Sequence, residues 1–396
     1  MRLLFVKERL AWPRSSGHDI HTYYSMQAIA QLGHSVGIVT LHNLNARAIE
    51  GSGVEQTWCL NTDPEVLNTN GQYDLLFSKA QEKFRSYWGV DKNYIGRVGE
   101  IAKEFHADAV VVVGLNVLPY LASVQGALRI WYAGDEWAWH HASQVRILQP
   151  GTWGELKQAL IKGLYERAYA SLLDRVWMVS NADKKAIHWV AGVKNVDVMP
   201  NGVDTQYYQP LEVDELPRSC VFWGRLDFGP NIQALQWFCK NVWRQIRITC
   251  GDARFSVFGF QPTRVVEELV NSHPGIELIP DQPDIREAIS RRQVVVLPFT
   301  SGGGIKNKLL EAAALGKAIV CTPWTVNELA AGQSVIQAKT ARECISSLIS
   351  LWDNTAQRKQ LGQAARTWVM KEHTWQAVAN KAIQGIEASF AARVAG

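Results

Sequence analysis

Residues 298–323, PFTSGGGIKNKLLEAAALGKAIVCTP, decide how this chain folds. The stretch leaves an apolar run, Val294, Val295, Val296 and Leu297, which predicts a buried strand. Gly302, Gly303 and Gly304 follow, then a helix-forming run over 309–315 that Gly316 stops. A second apolar run, 318–320, returns the chain to the sheet. A strand, a glycine loop and a helix start together make an anion site. Glycine lets backbone approach a ligand closely, and the unpaired amides of the first helical turn point at it. Lys306 and Lys308 add charge there, and Glu311 brings two acceptor oxygens that suit the neighbouring hydroxyls of a ribose. The chemistry implied is binding of a nucleoside diphosphate. The same features also fit a tight turn ahead of a helix, with Glu311 solvated. The lysines lie two residues apart, so they do not share a helix face. One of them is expected at the ligand, and Lys306, nearer the loop, is preferred.

Outward from this stretch, the chain reads as two α/β halves. Residues 3–6 predict a strand, 21–32 a helix and 32–40 a turn at Gly33 and a second strand, a unit that builds parallel sheets. Residues 43–94 are polar and irregular. A helix over 95–105 then feeds strand 109–113, and strand 128–132 ends at Gly134 and Asp135. Helix 155–173, strand 175–179 and strand 196–199 complete this half. Pro200, Asn201, Gly202 and Pro210 punctuate 199–210 and mark the boundary. The second half runs from strand 219–223 through loop 224–231 and helix 232–241 to strand 254–258, a helix around 263–271, strand 276–279 and helix 285–290. The domains expected are 1–203, 204–373 and a helical tail, 374–396, crossing back to the first half. Two doubly wound halves would leave a cleft at the carboxyl ends of their strands, so loops 14–19, 135–141, 224–231 and 300–306 are the ones to inspect.

A chain of 396 residues suits two such cores. At 47% hydrophobic and 20% charged it has a globular composition. Its net charge of +4 is not gathered into a basic tract, which argues against binding nucleic acid by charge. Six cysteines show no C-x-x-C pair and no zinc spacing, as expected of reduced, packed thiols in a cytoplasmic protein. The opening MRLLFVKE is too short an apolar run for a signal peptide, and no stretch reaches the length of a membrane span. Sixteen tryptophans are many. They suit core and domain-interface positions first, and peripheral contact with a membrane second.

Several phrases, in register along most of the chain, resemble the GT-B glycosyltransferases, specifically the retaining family 4 type. They are SSGHDIHTYYSMQAIAQLGHSVGIVT near the start, VSNADKK and MPNGVD at the boundary, FWGRLDFGPNIQALQWF, GGGIKNKLLEAAALGKAIVCTP, and HTWQAVANKAI near the end. The details of 224–238 and 302–311 look closest to sugar transferases linked to exopolysaccharides. The resemblance implies two Rossmann-like doubly wound domains facing a central cleft. It implies a cytoplasmic enzyme, stationed at the inner face of a membrane if the tryptophans are used there. It places Glu311 on the ribose hydroxyls, Gly302, Gly303, Gly304 and the amide of Ile305 on the diphosphate, and Arg225 on the leaving diphosphate. Gly17 falls beside the donor phosphate and the acceptor. Asp135 stands where the family carries a His or Asp facing the reacting sugar. There are departures. Gly303 stands where the family has an earlier glutamate, eight residues before Glu311. Pro230 replaces a common lysine, a charge that Lys306 or Lys308 would supply. Ser16 replaces a common glycine.

The function expected is a hexosyltransferase acting on a nucleotide-diphosphate sugar, with retained configuration and an acceptor that is a saccharide, a lipid-linked sugar or a protein. Negative charge grows on the departing diphosphate. Arg225, Lys306 and the loop amides would meet it without a metal or other cofactor, with Lys308 assisting donor binding and Asp135 steadying the sugar cation. Arg225 also fits a surface ion pair, Asp135 an N-cap, and His18 a turn residue. The alternatives are a nucleotide-sugar epimerase on the same fold and a non-catalytic nucleotide-sugar-binding protein.

Overall fold

The computed structural model describes residues 1–13, 17–60, 92–145, 153–301, 306–326, 329 and 331–395. The chain divides into two compact units, Met1–Pro200 with Val378–Gly396, and Asn201–Ala377.

Among the described residues, the first unit holds a seven-stranded sheet in the order β3-β2-β1-β4-β5-β6-β7, with every pair parallel. The strands are β1 (Arg2–Lys7), β2 (Ser35–Thr40), β3 (Val54–Cys59), β4 (Ala109–Val113), β5 (Leu128–Gly134), β6 (Arg175–Met178) and β7 (Val196–Val198). All five residues of β4, AVVVV, are buried. Such unbroken β-branched runs suit a sheet covered on both faces. β3 falls in a segment that reads as irregular. It is an edge strand, VEQTWC, mostly exposed and therefore polar. The helices used below are α1 (Gly17–Gln31), α2 (Lys92–Glu104), α3 (Trp137–Gln144), α4 (Trp153–Tyr169) and α5 (Asn181–Ala191). The order reverses between β1 and β4, and a reversal of this kind opens a crevice at the carboxyl ends of the two strands.

The second unit repeats the plan with a six-stranded sheet, β10-β9-β8-β11-β12-β13, again parallel throughout. Its strands are β8 (Leu216–Trp223), β9 (Arg254–Gly259), β10 (Ile276–Pro280), β11 (Arg292–Leu297), β12 (Ala318–Cys321) and β13 (Ile336–Gln337). The reversal here lies between β8 and β11. Helices α6 (Gly229–Phe238), α7 (Asn307–Ala314), α8 (Ala341–Asp353), α9 (Thr355–Glu372) and α10 (Trp375–Ala395) complete the labels used here. α6 begins at Gly229, not at 232, because a proline is tolerated in the first helical turn and Pro230 sits there. α10 starts in the second unit and from Val378 onward belongs to the first.

Asp204, just past the change of unit, accepts the amides of Gln206 (3.0 Å) and Tyr207 (2.9 Å) in a side-chain turn. Asn201 instead gives its amide to Asn307 at the head of α7, at 2.6 Å. Val203 pairs with Thr374 in an isolated parallel bridge.

Candidate active site

In the second unit the site grows from the two strands that flank the reversal. β8 ends in Trp223, and the next residue, Gly224, has φ +143. A Cβ there would lie 2.5 Å from Lys308 Cε and 2.7 Å from its Nζ, so only glycine admits the lysine. Lys308 Nζ reaches Asn231 Oδ1 at 3.3 Å, and Asn231 Nδ2 donates to the Arg225 carbonyl at 2.7 Å. This couples the head of α6 to the head of α7. Trp223 Nε1–H donates to Glu311 Oε2 at 2.9 Å, which fixes the carboxylate in α7's second turn. Burial pushes the Glu311 carboxyl upward, opposed by the Trp223 bond and by Lys308.

Lys306 is the N-cap of α7, with extended φ −85 and ψ 96. It therefore lies outside the helix, and the rule separating residues two apart does not govern it. Its Nζ is 5.4 Å from the centroid of the Phe299 ring, and that of Lys308 is 5.7 Å from the same centroid. Both lysines gather at one aromatic floor. Burial, and then the charge of Lys308, bring Lys306 down to about 8. Burial lowers Lys308 as well, against the pull of Glu311. Two half-buried amines whose charged forms are disfavoured thus lie side by side.

Gly302, Gly303, Gly304 and Ile305 lie outside the described residues. Arg225 is placed beside this cluster in sequence, but its side chain is two-thirds exposed. It forms a bidentate pair with Asp227, Nε to Oδ1 at 3.0 Å and Nη2 to Oδ2 at 2.7 Å. That pair raises Arg225 and lowers Asp227.

In the first unit, the reversal between β1 and β4 opens a cavity of about 480 Å³. Lys7, Glu8 and Arg9 line it from the end of β1, and Gly114, Leu115 and Asn116 from the end of β4. His18 and Asp19 enter from α1, Trp137 from α3 and Lys162 from α4. Lys7 Nζ and Asp19 Oδ1 form a buried ion pair at 2.8 Å. His18 is more than a turn residue. Its ring packs over Gly134, where a Cβ would meet Nε2 at 2.9 Å, and that nitrogen is buried with no hydrogen-bond partner. Burial and Lys7 lower its basicity, so the imidazole is neutral at neutral pH.

Gly17 is the first residue of α1, exposed, with nothing within 4 Å of the place a Cβ would take. Asp135 follows β5 and is half-buried. Burial and then Asp183 raise it, against His140. It does not cap α3. Glu136 is the N-cap and accepts the Trp139 amide. Behind it lies a second acid, Glu166 of α4, and both are fully buried. Burial, then the neighbouring Glu136, push Glu166 far up, against Lys162.

Among the described residues no group of three or more His, Cys, Asp or Glu could hold a metal ion, and no helix is long and apolar enough to cross a membrane.

Residues 217–354 match the protein family described as glycosyl transferases group 1. No curated protein sequence matches the chain. Solved structures match it along nearly its whole length. A glycosyltransferase from Rickettsia africae ESF-5 aligns with TM-score 0.65 and 13% identity, over 98% of each chain. Sucrose-phosphate synthase from Thermosynechococcus elongatus aligns with TM-score 0.66 and 14% identity, over 99% of this chain and 100% of that one. HepE from Anabaena, solved with UDP, aligns with TM-score 0.63 and 11% identity, over 98% of this chain and 100% of that one. HepE has also been solved with UDP and glucose and with UDP-glucose. At these identities the likeness establishes the fold, two Rossmann-like α/β domains in the GT-B arrangement of elements.

Proposed function

We propose that the chain is a glycosyltransferase that moves a hexose from a nucleoside-diphosphate sugar to an acceptor hydroxyl, with retention at the anomeric carbon. The observation that carries the reading is the cluster at the β8/β11 reversal. A carboxylate held by Trp223 stands about one helical turn beyond Lys306 and Lys308, whose charge is disfavoured until an anion arrives. Glu311 would accept the ribose hydroxyls, since each carboxylate oxygen keeps a second lone pair when Trp223 takes one. Lys306, Lys308 and Arg225 would receive the charge that grows on the departing diphosphate, without a metal. Arg225 would leave Asp227 to do so. The first unit's cavity would take the acceptor, with Asp135 and the neutral His18 near the reacting hydroxyl. The family match over 217–354 and the UDP-sugar complexes of HepE support a nucleotide-sugar donor. The reading extends to a saccharide acceptor in polysaccharide or glycoconjugate synthesis, and the tryptophan count adds a peripheral station on a membrane.

A thermal-shift panel of UDP, GDP, ADP and their sugars tests this, because a ligand that binds the native state raises its melting temperature. One of these series is expected to stabilise the protein, and Glu311→Ala to lose most of that shift. A full shift in Glu311→Ala would refute the ribose assignment. Turnover of the sugar with no acceptor to give a new sugar would mark an epimerase, and binding without any turnover a scaffold.

A further inference from the structure

α4 is built the opposite way round from an ordinary surface helix. Its buried face carries Ala159, Ile161, Tyr165 and Tyr169 but also the fully buried Glu166. Lys162 turns inward too, with Nζ 2.7 Å from His141 and 4.8 Å from the centroid of the Trp137 ring. Its outward face carries an apolar stripe. Trp153, Leu156 and Leu160 are 59%, 58% and 56% exposed. Their spacing of three and four residues sets them in one stripe along the helix. Scattered exposed apolar residues need no explanation, but a contiguous stripe beside charge does.

The exposed charged side chains of α3, α4 and α5 are all cations. Lys157 and Arg167 are exposed on the same arc of α4. The one carboxylate of α4's first turn, Glu155, is engaged by His141 at 2.5 Å. α3 and α5 close on α4 at Gly163, where a Cβ would meet Val190 at 3.2 Å and Ala138 at 3.3 Å. The residues that follow and precede these contacts are Trp139, 58% exposed, and Trp189, 85% exposed. α5 adds exposed Lys184 and Lys185.

We propose that the outward face of α4, with the flanking tryptophans of α3 and α5, docks on a membrane surface bearing anionic lipid headgroups. Leucine and tryptophan would enter the boundary of headgroups and acyl chains, and the lysines and Arg167 would meet the phosphates. A second copy of the chain fits this face less well. A two-fold contact would set the same exposed cations against one another. The inference stands on this surface alone and does not depend on the donor reading.

The test is cosedimentation of the full chain with phosphatidylcholine vesicles, with and without phosphatidylglycerol. The protein should pellet with the anionic vesicles, less so in high salt. Leu156→Ser/Leu160→Ser should weaken this by about tenfold or more, and Lys184→Glu/Lys185→Glu should erase the preference for phosphatidylglycerol. Both variants change exposed side chains, so each should keep its melting temperature and its donor-induced shift. Three results would overturn the proposal. They are a wild-type protein that ignores both vesicles, a double-serine variant that pellets as well as wild type, and a vesicle-blind dimer that the serines split.

Discussion

Lys306 offers the sharpest quantitative test of the donor site. Its amine titrates near 8 in the free protein, because burial and the charge of Lys308 both disfavour the ammonium. A diphosphate at that spot favours the ammonium and lifts the value back toward an ordinary lysine's. Binding is then linked to proton uptake above pH 8 and indifferent to pH below 7. At pH 9 about one molecule in eleven carries the charged form, so the affinity for a nucleoside diphosphate should be about tenfold weaker than at pH 7. Titration calorimetry across pH 6.5–9.5, in buffers of differing ionisation enthalpy, reads both the affinity and the proton taken up. Lys306→Met should bind more weakly at neutral pH and show little of the slope. That profile also removes any titration of the ligand's own base and of Lys308. A wild-type affinity that stays flat from pH 7 to 9.5, or a wild-type slope no steeper than that of Lys306→Met, would show that the amine does not face the phosphates.

Two further outcomes follow from the geometry. Gly224→Ala should cost about 1–3 kcal/mol of stability, from a side chain at φ +143 and a Cβ driven into Lys308, and it should weaken nucleotide binding beyond what the stability loss explains. Denaturant unfolding and the same calorimetry measure the two parts. His21 is buried, with its ring nitrogen 3.3 Å from the Pro200 carbonyl, and burial lowers it to about 4. The unfolded chain then binds the extra proton first. Stability contributed by the neutral ring is full above pH 6.5 and lost as pH falls toward 4, about 3 kcal/mol in all. Unfolding followed across that window should show the loss, and His21→Gln should reduce it.

The strands were the legible part of this fold. Runs such as AVVVV in β4 and VVVL at the end of β11 have few alternatives, because nothing else buries β-branched residues on both faces. β3 was not legible because an edge strand obeys no such demand. α3 was missed because glutamate at 136 is a weaker start signal than serine or aspartate, and the neighbouring Asp135 drew the capping role by preference. Residues whose importance depends on a distant neighbour were also hidden. Gly224 reads as a turn glycine until Lys308, 84 positions later, is seen to pass over it. His18 reads as a loop polar residue until Gly134 is found beneath its ring.

The two lysines show why spacing alone misled. Residues two apart diverge only if both belong to the helix, and Lys306 stops one residue short of it. Its extended backbone frees the side chain from the helical screw, so it swings back to the Phe299 ring that Lys308 reaches from within the first turn. The position that looked merely closer to the loop is the one that lets two like charges converge. Convergence lowers Lys306 more than burial alone would. A helix beginning one residue earlier, with Lys306 in its first turn, would part the two amines and remove that contribution. The basicity of Lys306 is therefore set by where α7 begins as much as by which cations lie around it.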